Sequence, residues 1–359
     1  MLSRRAAFLA ASAILVPRAV RGRSPAPLDA QLVDLMARHR VPGASFALID
    51  NGRIAERFAR GADPDTLFQA ASISKIVAAI VTLRLVEQGR IGLDTPVNRM
   101  LRSWLLPGAG ADAVTPRLLL SHRGGTTVPG FAGYRPGEPL PSLEQTLEGV
   151  PPANNAAVRV ARPPGQRFHY SGGGTMVLQR LAVDAAGAGF DRLADALVLQ
   201  PAAMLRSGFF QPLPGTERDA ASAHDRDGRL LPGRFHVYPE HAAAGLWSTG
   251  DDLARLALAI AASWRDGGLL QRATARAMAT RVGDGPTGLG PFVQERRGRP
   301  PYLYHYGVNA GFRSVLVFAA DASFGVALMT NGAGARQVIP DFLAAAFAAA
   351  GQDPFEPAP

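Results

Sequence analysis

The sequence predicts an α+β fold, an antiparallel sheet flanked by helices with a mainly helical lobe inserted into it. Three observations carry that prediction. Strand-like runs lie near both ends of the chain, a long Gly- and Pro-rich stretch bearing helices separates them, and no strand–helix alternation of the parallel-sheet kind stands out.

Taken in order, residues 1–23 read as a twin-arginine-like export signal. Ser3-Arg4-Arg5 precedes an apolar run from Ala6 to Val16, followed by Pro17 and by small residues near Ala19 and Gly22 that suit a cleavage site. The run is too short to span a bilayer, so the expectation is a bacterial protein exported to the periplasm or secreted. Residues 24–28 form a Pro-rich entry, and Leu28 to Arg40 read as an amphipathic helix. Ala44 to Ile49 and Arg53 to Ala59 alternate as strands and are joined through Asp50-Asn51-Gly52, a strong hairpin signal. Residues 72 to 88 read as a helix apolar on nearly every side, hence buried, with Gly89 as its stop. Helices are expected near 174–186 and 189–199, and a capped one from Ser248/Thr249 to Ala262. Strands return at Pro291 to Arg296, Tyr302 to Tyr306, Phe312 to Ala319 and Ser323 to Met329, and an apolar helix from Val338 to Ala349 closes the chain. This layout makes 24–359 a single domain, with a sheet lobe from about 28–90 and 285–350 and a helical lobe from about 91–284. A site is expected where the lobes meet.

Composition narrows the function classes. The formal net charge is +9, but five of the arginines lie in the leader, leaving +4 scattered among acids without an aromatic-interleaved basic stripe. Nucleic-acid binding is therefore not expected. With no cysteine the chain has no disulfide, lipid-anchored cysteine or thiolate metal site. The histidines at 39, 122, 169, 224, 236, 241 and 305 show no paired ligand spacing, and no dinucleotide fingerprint or Gly-x-Ser-x-Gly elbow is present. No metal and no cofactor is expected. The expected partner is a small-molecule or peptide-like substrate.

One residue stands out. Of 38 cationic residues, Lys75 is the only lysine, and it follows Ser72 in the motif Ser-x-x-Lys. Unlike arginine, an amine among apolar side chains can give up its proton and then accept another. Ser72 falls in the expected first turn of the buried helix, where free N–H groups favour developing negative charge, and Lys75 shares its face. Ser74 is the rival nucleophile but points off another face. Two later segments supply partners: Tyr170-Ser171-Gly172, ending a Pro-rich loop, and His305-Tyr306-Gly307, at the end of a strand where a glycine lets a ligand approach the backbone.

In order and spacing these three segments resemble the penicillin-recognising serine hydrolases, the group of class C β-lactamases, D-alanyl-D-alanine carboxypeptidases and related esterases. That group carries Ser-x-x-Lys, Tyr-x-Asn and Lys-Thr-Gly or His-x-Gly. Val41-Pro42-Gly43-Ala44, Leu118-Leu119-Leu120-Ser121-His122 and Ala243-Ala244-Gly245-Leu246-Trp247 look like family stretches as well. The resemblance implies a β-lactamase/transpeptidase-like fold and a serine hydrolase acting through an acyl-enzyme on an ester, amide or β-lactam. It implies Ser72 as nucleophile and Lys75 and Tyr170 as sharers of the proton traffic. The backbone N–H groups of Ser72 and Val308 would form the oxyanion hole. His305, Gly307 and Asn309 would bind substrate, His305 by positive or hydrogen-bonding character toward an acidic group, although a histidine near its ordinary pKa is largely neutral at pH 7. Gly172 departs from the pattern, standing where an amide side chain is usual; Asn309 or a water is the expected substitute. Two alternatives stay open: a penicillin-binding D-alanyl-D-alanine carboxypeptidase, and a non-catalytic binder of peptidoglycan fragments.

Overall fold

The protein is described by a computed structural model covering residues 27–217 and 219–357. The export signal expected over residues 1–23 lies outside the described residues. Among them, no helix is long and apolar enough to cross a membrane.

The sheet is built from both ends of the chain. Strands β1 (Ala44–Asp50), β2 (Arg53–Arg60), β5 (Phe292–Arg296), β6 (Arg299–Asn309), β7 (Phe312–Ala319) and β8 (Phe324–Thr330) form it in the order β2-β1-β8-β7-β6-β5. Every neighbouring pair is antiparallel. The β1–β2 turn forms where Asn51-Gly52 predicts it, since both residues adopt positive φ, 48° and 77°, the requirement of a tight turn matched to strand twist. β3 (Phe68–Gln69) and β4 (Trp247–Ser248) form a separate two-stranded pair.

Side-chain alternation divides the apolar interior into two layers. On one face of the sheet, Phe46, Tyr302, Tyr304, Val315, Val317 and Leu328 are buried against α1 (Leu28–Arg38) and α10 (Ala335–Ala349). On the other, Ala47, Ile49, Leu316, Phe318, Ala327 and Met329 join a larger cluster with α2 (Ser74–Glu87) and α8 (Gly250–Asp266). α8 starts at Thr249, whose hydroxyl accepts the Asp252 N–H at 3.1 Å, as its capping sequence predicts. The inserted region carries α3 (Pro116–Leu120), α4 (Leu143–Glu148), α5 (Gly172–Ala186), α6 (Phe190–Ala194), α7 (His241–Ala244) and α9 (Arg272–Met278).

Several boundaries differ from the sequence reading, three of them by more than a shift at a helix end. α2 begins at Ser74, so Ser72 occupies a separate 3-10 turn, Ala71–Ile73, rather than the first turn of the α-helix. β6 runs to Asn309 because it stays paired with β7 up to Asn309↔Phe312, which places Gly307, Val308 and Asn309 on a strand. The helix expected over 189–199 is α6 followed by a π-turn, Asp195–Leu199.

Candidate active site

Ser72 projects from a turn whose neighbours leave it little freedom. Ala71 has φ +51°, an unusual conformation for a residue with a Cβ that persists only where its surroundings enforce it. Here Ser74 does so. Its hydroxyl donates to Ala71 O at 2.5 Å and accepts the Leu246 N–H at 3.0 Å. Ser74 is fully buried, which removes it as rival nucleophile and makes it a staple between the turn and the segment entering β4.

Lys75, one helical step on, is buried, and its Nζ donates to Ser72 Oγ at 3.0 Å and to Ala243 O at 2.7 Å. The second partner was not visible in the sequence. α7 presents that carbonyl, and α7 is held by Gln179 of α5, whose Oε1 accepts the Ala242 N–H at 2.9 Å. Strand β6 closes the other side. A Cβ on Gly307 would lie 2.0 Å from Ser314 Oγ and 2.2 Å from Ala70 O, so only glycine lets this strand pack onto the nucleophile turn. That approach sets the following residue, Val308, on the wall of the cavity into which Ser72 opens. Its N–H and that of Ser72 stay the candidate oxyanion donors.

Tyr170 enters immediately before α5. Ser171 caps that helix, its hydroxyl accepting the Gly174 N–H at 2.9 Å and donating to Thr127 O at 2.7 Å. The Tyr170 ring lies 5.1 Å from Lys75 Nζ. Its ring centroid lies 4.4 Å from that of His122, 6.0 Å from that of His305 and 6.3 Å from that of Phe292. Gly172 is where it is for steric reasons: an added Cβ would meet Phe131 Cε2 at 3.0 Å and Pro129 O at 3.3 Å. An amide side chain there would push into the 129–131 segment, so the glycine makes room for the cavity wall.

Ser72, Lys75, Tyr170, His305, Val308 and Asn309 line one cavity of about 650 Å³, together with Phe131, Phe292 and Tyr306. The structure thus brings together the residues the sequence singled out, with Gly307 just behind the wall. Two expected roles change. Asn309 does not replace the missing amide at Lys75, because its nitrogen donates to Gln69 Oε1 at 2.8 Å and to Ala244 O at 3.2 Å. The Ala243 carbonyl holds the lysine instead. His305 carries no positive charge toward an acidic group. Burial, reinforced by the Lys75 charge, pushes its pKa down to about 3. Its Nδ1 lies 2.7 Å from the Tyr306 carbonyl, which can only accept, so the ring proton sits on Nδ1. Nε2 is then a buried acceptor with no partner among the described residues.

His122 is the site residue the sequence did not single out, appearing there only within a family-like stretch. Among the described residues, no group of three or more His, Cys, Asp or Glu is placed to hold a metal ion.

The chain matches the family model described as Beta-lactamase over residues 28–350. It is 30% identical over 292 residues to esterase EstB of Burkholderia gladioli, covering 66% of this chain and 70% of that one. Its fold is similar to that of a D-stereospecific amidohydrolase from Streptomyces sp., with a TM-score of 0.72, 19% identity, and coverage of 89% of this chain and 98% of that one. It is similar also to D-alanine carboxypeptidase AmpC from Burkholderia cenocepacia, with a TM-score of 0.70, 20% identity, and coverage of 90% and 97%.

Proposed function

The chain belongs to the beta-lactamase family of serine hydrolases, and we propose that it hydrolyses esters with an uncharged acyl group through an acyl-enzyme on Ser72. The observation that carries this reading is Lys75 Nζ at 3.0 Å from Ser72 Oγ on the wall of an apolar cavity. The amine takes the hydroxyl proton as Oγ attacks the ester carbonyl. The tetrahedral oxyanion forms beside the Ser72 and Val308 N–H groups, a placement that typically contributes about 3–4 kcal/mol per donor. Collapse breaks the bond to the alkoxy group, which leaves as an alcohol with a proton delivered from Lys75 by way of Tyr170. Water then attacks the acyl-serine, its proton passing by way of Tyr170 to Lys75, and Lys75 returns a proton to Ser72 Oγ as the bond to serine breaks and the acid is released.

The ester reading is favoured over a carboxy-terminal peptide by charge. Among the described residues lining the cavity, Lys75 is the only lysine or arginine, and it is committed to Ser72 and Ala243. His305 is neutral there. Nothing else on the wall offers a charge to a substrate carboxylate, whereas Phe131, Phe292 and Val308 offer apolar surface. The likeness to an esterase points the same way.

The test is turnover of nitrophenyl butyrate beside the nitrophenyl ester of succinic acid, which adds a carboxylate. We expect kcat/KM at least about tenfold higher for the uncharged ester, and a loss of about 10³-fold or more in Ser72→Ala and Lys75→Ala. Full turnover by Ser72→Ala would end the acyl-enzyme reading, and preference for the succinyl ester would end the uncharged-substrate reading. The leader at residues 1–23 supports export to the periplasm or beyond; recovery of the protein only from the cytoplasm of its native cell would refute that.

A further inference from the structure

We infer that His122 is a positioning residue: it fixes the Tyr170 side chain over Lys75 through its ring and its Nδ1, an inference that rests on the proton-handling role proposed above for Tyr170.

The backbone at His122 supplies the first argument. α3 ends in a Schellman arrangement, in which the Arg123 N–H bonds to Leu118 O at 2.7 Å and the His122 N–H to Leu119 O at 3.1 Å. The residue at the turn of such a motif adopts the left-handed conformation, and glycine is the usual occupant. Here it is a histidine with φ +54°. A side chain kept at a position that favours having none needs a reason.

The reason lies in what that side chain touches. His122 is 4% exposed and grips the segment before α5 at three points. Its carbonyl accepts the His169 N–H at 2.7 Å, its Nδ1 accepts the Ser171 N–H at 3.2 Å, and its ring lies 4.4 Å from the Tyr170 ring. The residues on either side of Tyr170 are thus tied to His122, whose ring is also the nearest aromatic neighbour of the tyrosine ring. The Nδ1 contact requires a neutral imidazole, because an imidazolium has no lone pair to offer. Burial first, then the charge of Lys75, hold the His122 pKa well below its ordinary 6.5. His122 does not line the cavity, so it acts through the residues it holds and not by touching substrate.

A double-mutant cycle tests this, with nitrophenyl butyrate as substrate and circular dichroism confirming that each variant is folded. In the wild-type background we expect His122→Ala to lower kcat about 30- to 100-fold with KM changed less than about threefold, the size expected for a misplaced reacting group. His122→Asn, which keeps an acceptor and tolerates the left-handed conformation, recovers kcat to within about fivefold of wild type. In the Tyr170→Phe background the same His122 substitutions cost less than about threefold further, because the hydroxyl they position is gone. Equal losses in both backgrounds, or wild-type kcat in His122→Ala, overturn the inference and leave the role of Tyr170 standing. Full kcat in Tyr170→Phe overturns both. Should His122→Ala not fold, His122→Asn and His122→Phe complete the same cycle, the phenylalanine keeping the ring contact while losing the acceptor.

Discussion

Glu240 is completely enclosed at the start of α7, and apart from its own backbone N–H its carboxylate has no hydrogen-bond partner among the described residues. Burial pushes its pKa from 4.5 up to about 7, and the Tyr134 and Tyr238 hydroxyls beside it are neutral groups that its charge pushes further up. A carboxyl whose pKa rises on folding contributes most below its unfolded value. Between pH 4.5 and about 7 the unfolded chain loses this proton while the folded one keeps it, so the contribution of Glu240 to stability falls across that window and then levels off. The size is about 3 kcal/mol. Glu240→Gln should flatten this slope and be the more stable protein at pH 8; urea midpoints at pH 5 and pH 8 for both proteins give the answer, and parallel slopes would refute the assignment. Gly172 offers a second prediction. Because a Cβ there crowds Phe131, Gly172→Asn should not create β-lactam hydrolysis, and should raise KM for an apolar ester several-fold while costing about 1–3 kcal/mol of stability. Hydrolysis of a chromogenic cephalosporin gained by Gly172→Asn would contradict it. Lys75 was legible in the sequence because its composition isolates it. His122 was not, since 49 residues separate it from Ser171 and nothing local marks a histidine that will meet a distant N–H.

At the scale of elements, the nucleophile depends on the joint between a 3-10 turn and α2. Hydrophobic periodicity sees a buried helix from residue 72 onward, but it does not distinguish a 3-10 turn from the first turn of an α-helix, as both bury Ala71 and Ile73. The hairpin at Asn51-Gly52 was legible for the opposite reason: its turn has residue requirements of its own. The length of β6 was not, because its last residues depend on pairing with β7. The joint yields a prediction of its own. Ser74→Ala removes the hydroxyl that satisfies Ala71 O and the Leu246 N–H and leaves both groups buried without it. Losing these contacts should cost about 2–4 kcal/mol. It should also lower kcat more than KM rises, since the released turn carries Ser72. Calorimetry and steady-state kinetics on the same preparation check both halves. An Ala variant with unchanged Tm and kcat would show that the positive φ at Ala71 needs no such support.

On the scale of the whole molecule, the site belongs to neither lobe alone. Lys75 comes from α2, its second anchor from α7, Tyr170 from the entry to α5, and the facing wall from β5 and β6. The sequence made this assembly legible in outline, since strands at both ends of a chain must meet to bury their apolar faces. The meeting is literal: β1 pairs with β8 along its whole length, Ala44↔Thr330 to Asp50↔Phe324. The segment before Ser72 is tied to the same sheet, because Ser314 Oγ of β7 donates to Ala70 O at 2.9 Å. It is tied to the inserted region as well, through the Ala70 N–H bonded to Leu246 O at 2.9 Å. Opening either lobe therefore breaks hydrogen bonds at the nucleophile, and the catalytic arrangement cannot outlast the sheet. Nor should it fail much earlier, since the larger apolar cluster runs unbroken from sheet residues such as Leu316 and Met329 through Ile76 of α2 to Met176 of α5. In urea, ester turnover and the far-UV circular dichroism signal are expected to vanish with midpoints agreeing within about 0.3 M, as cooperative unfolding requires. A loss of turnover at clearly lower urea, with the dichroism signal intact, would mean that the lobes part at the site before the sheet unfolds. The bonds from Ala70 to β7 and to Leu246 would then be too weak to couple them.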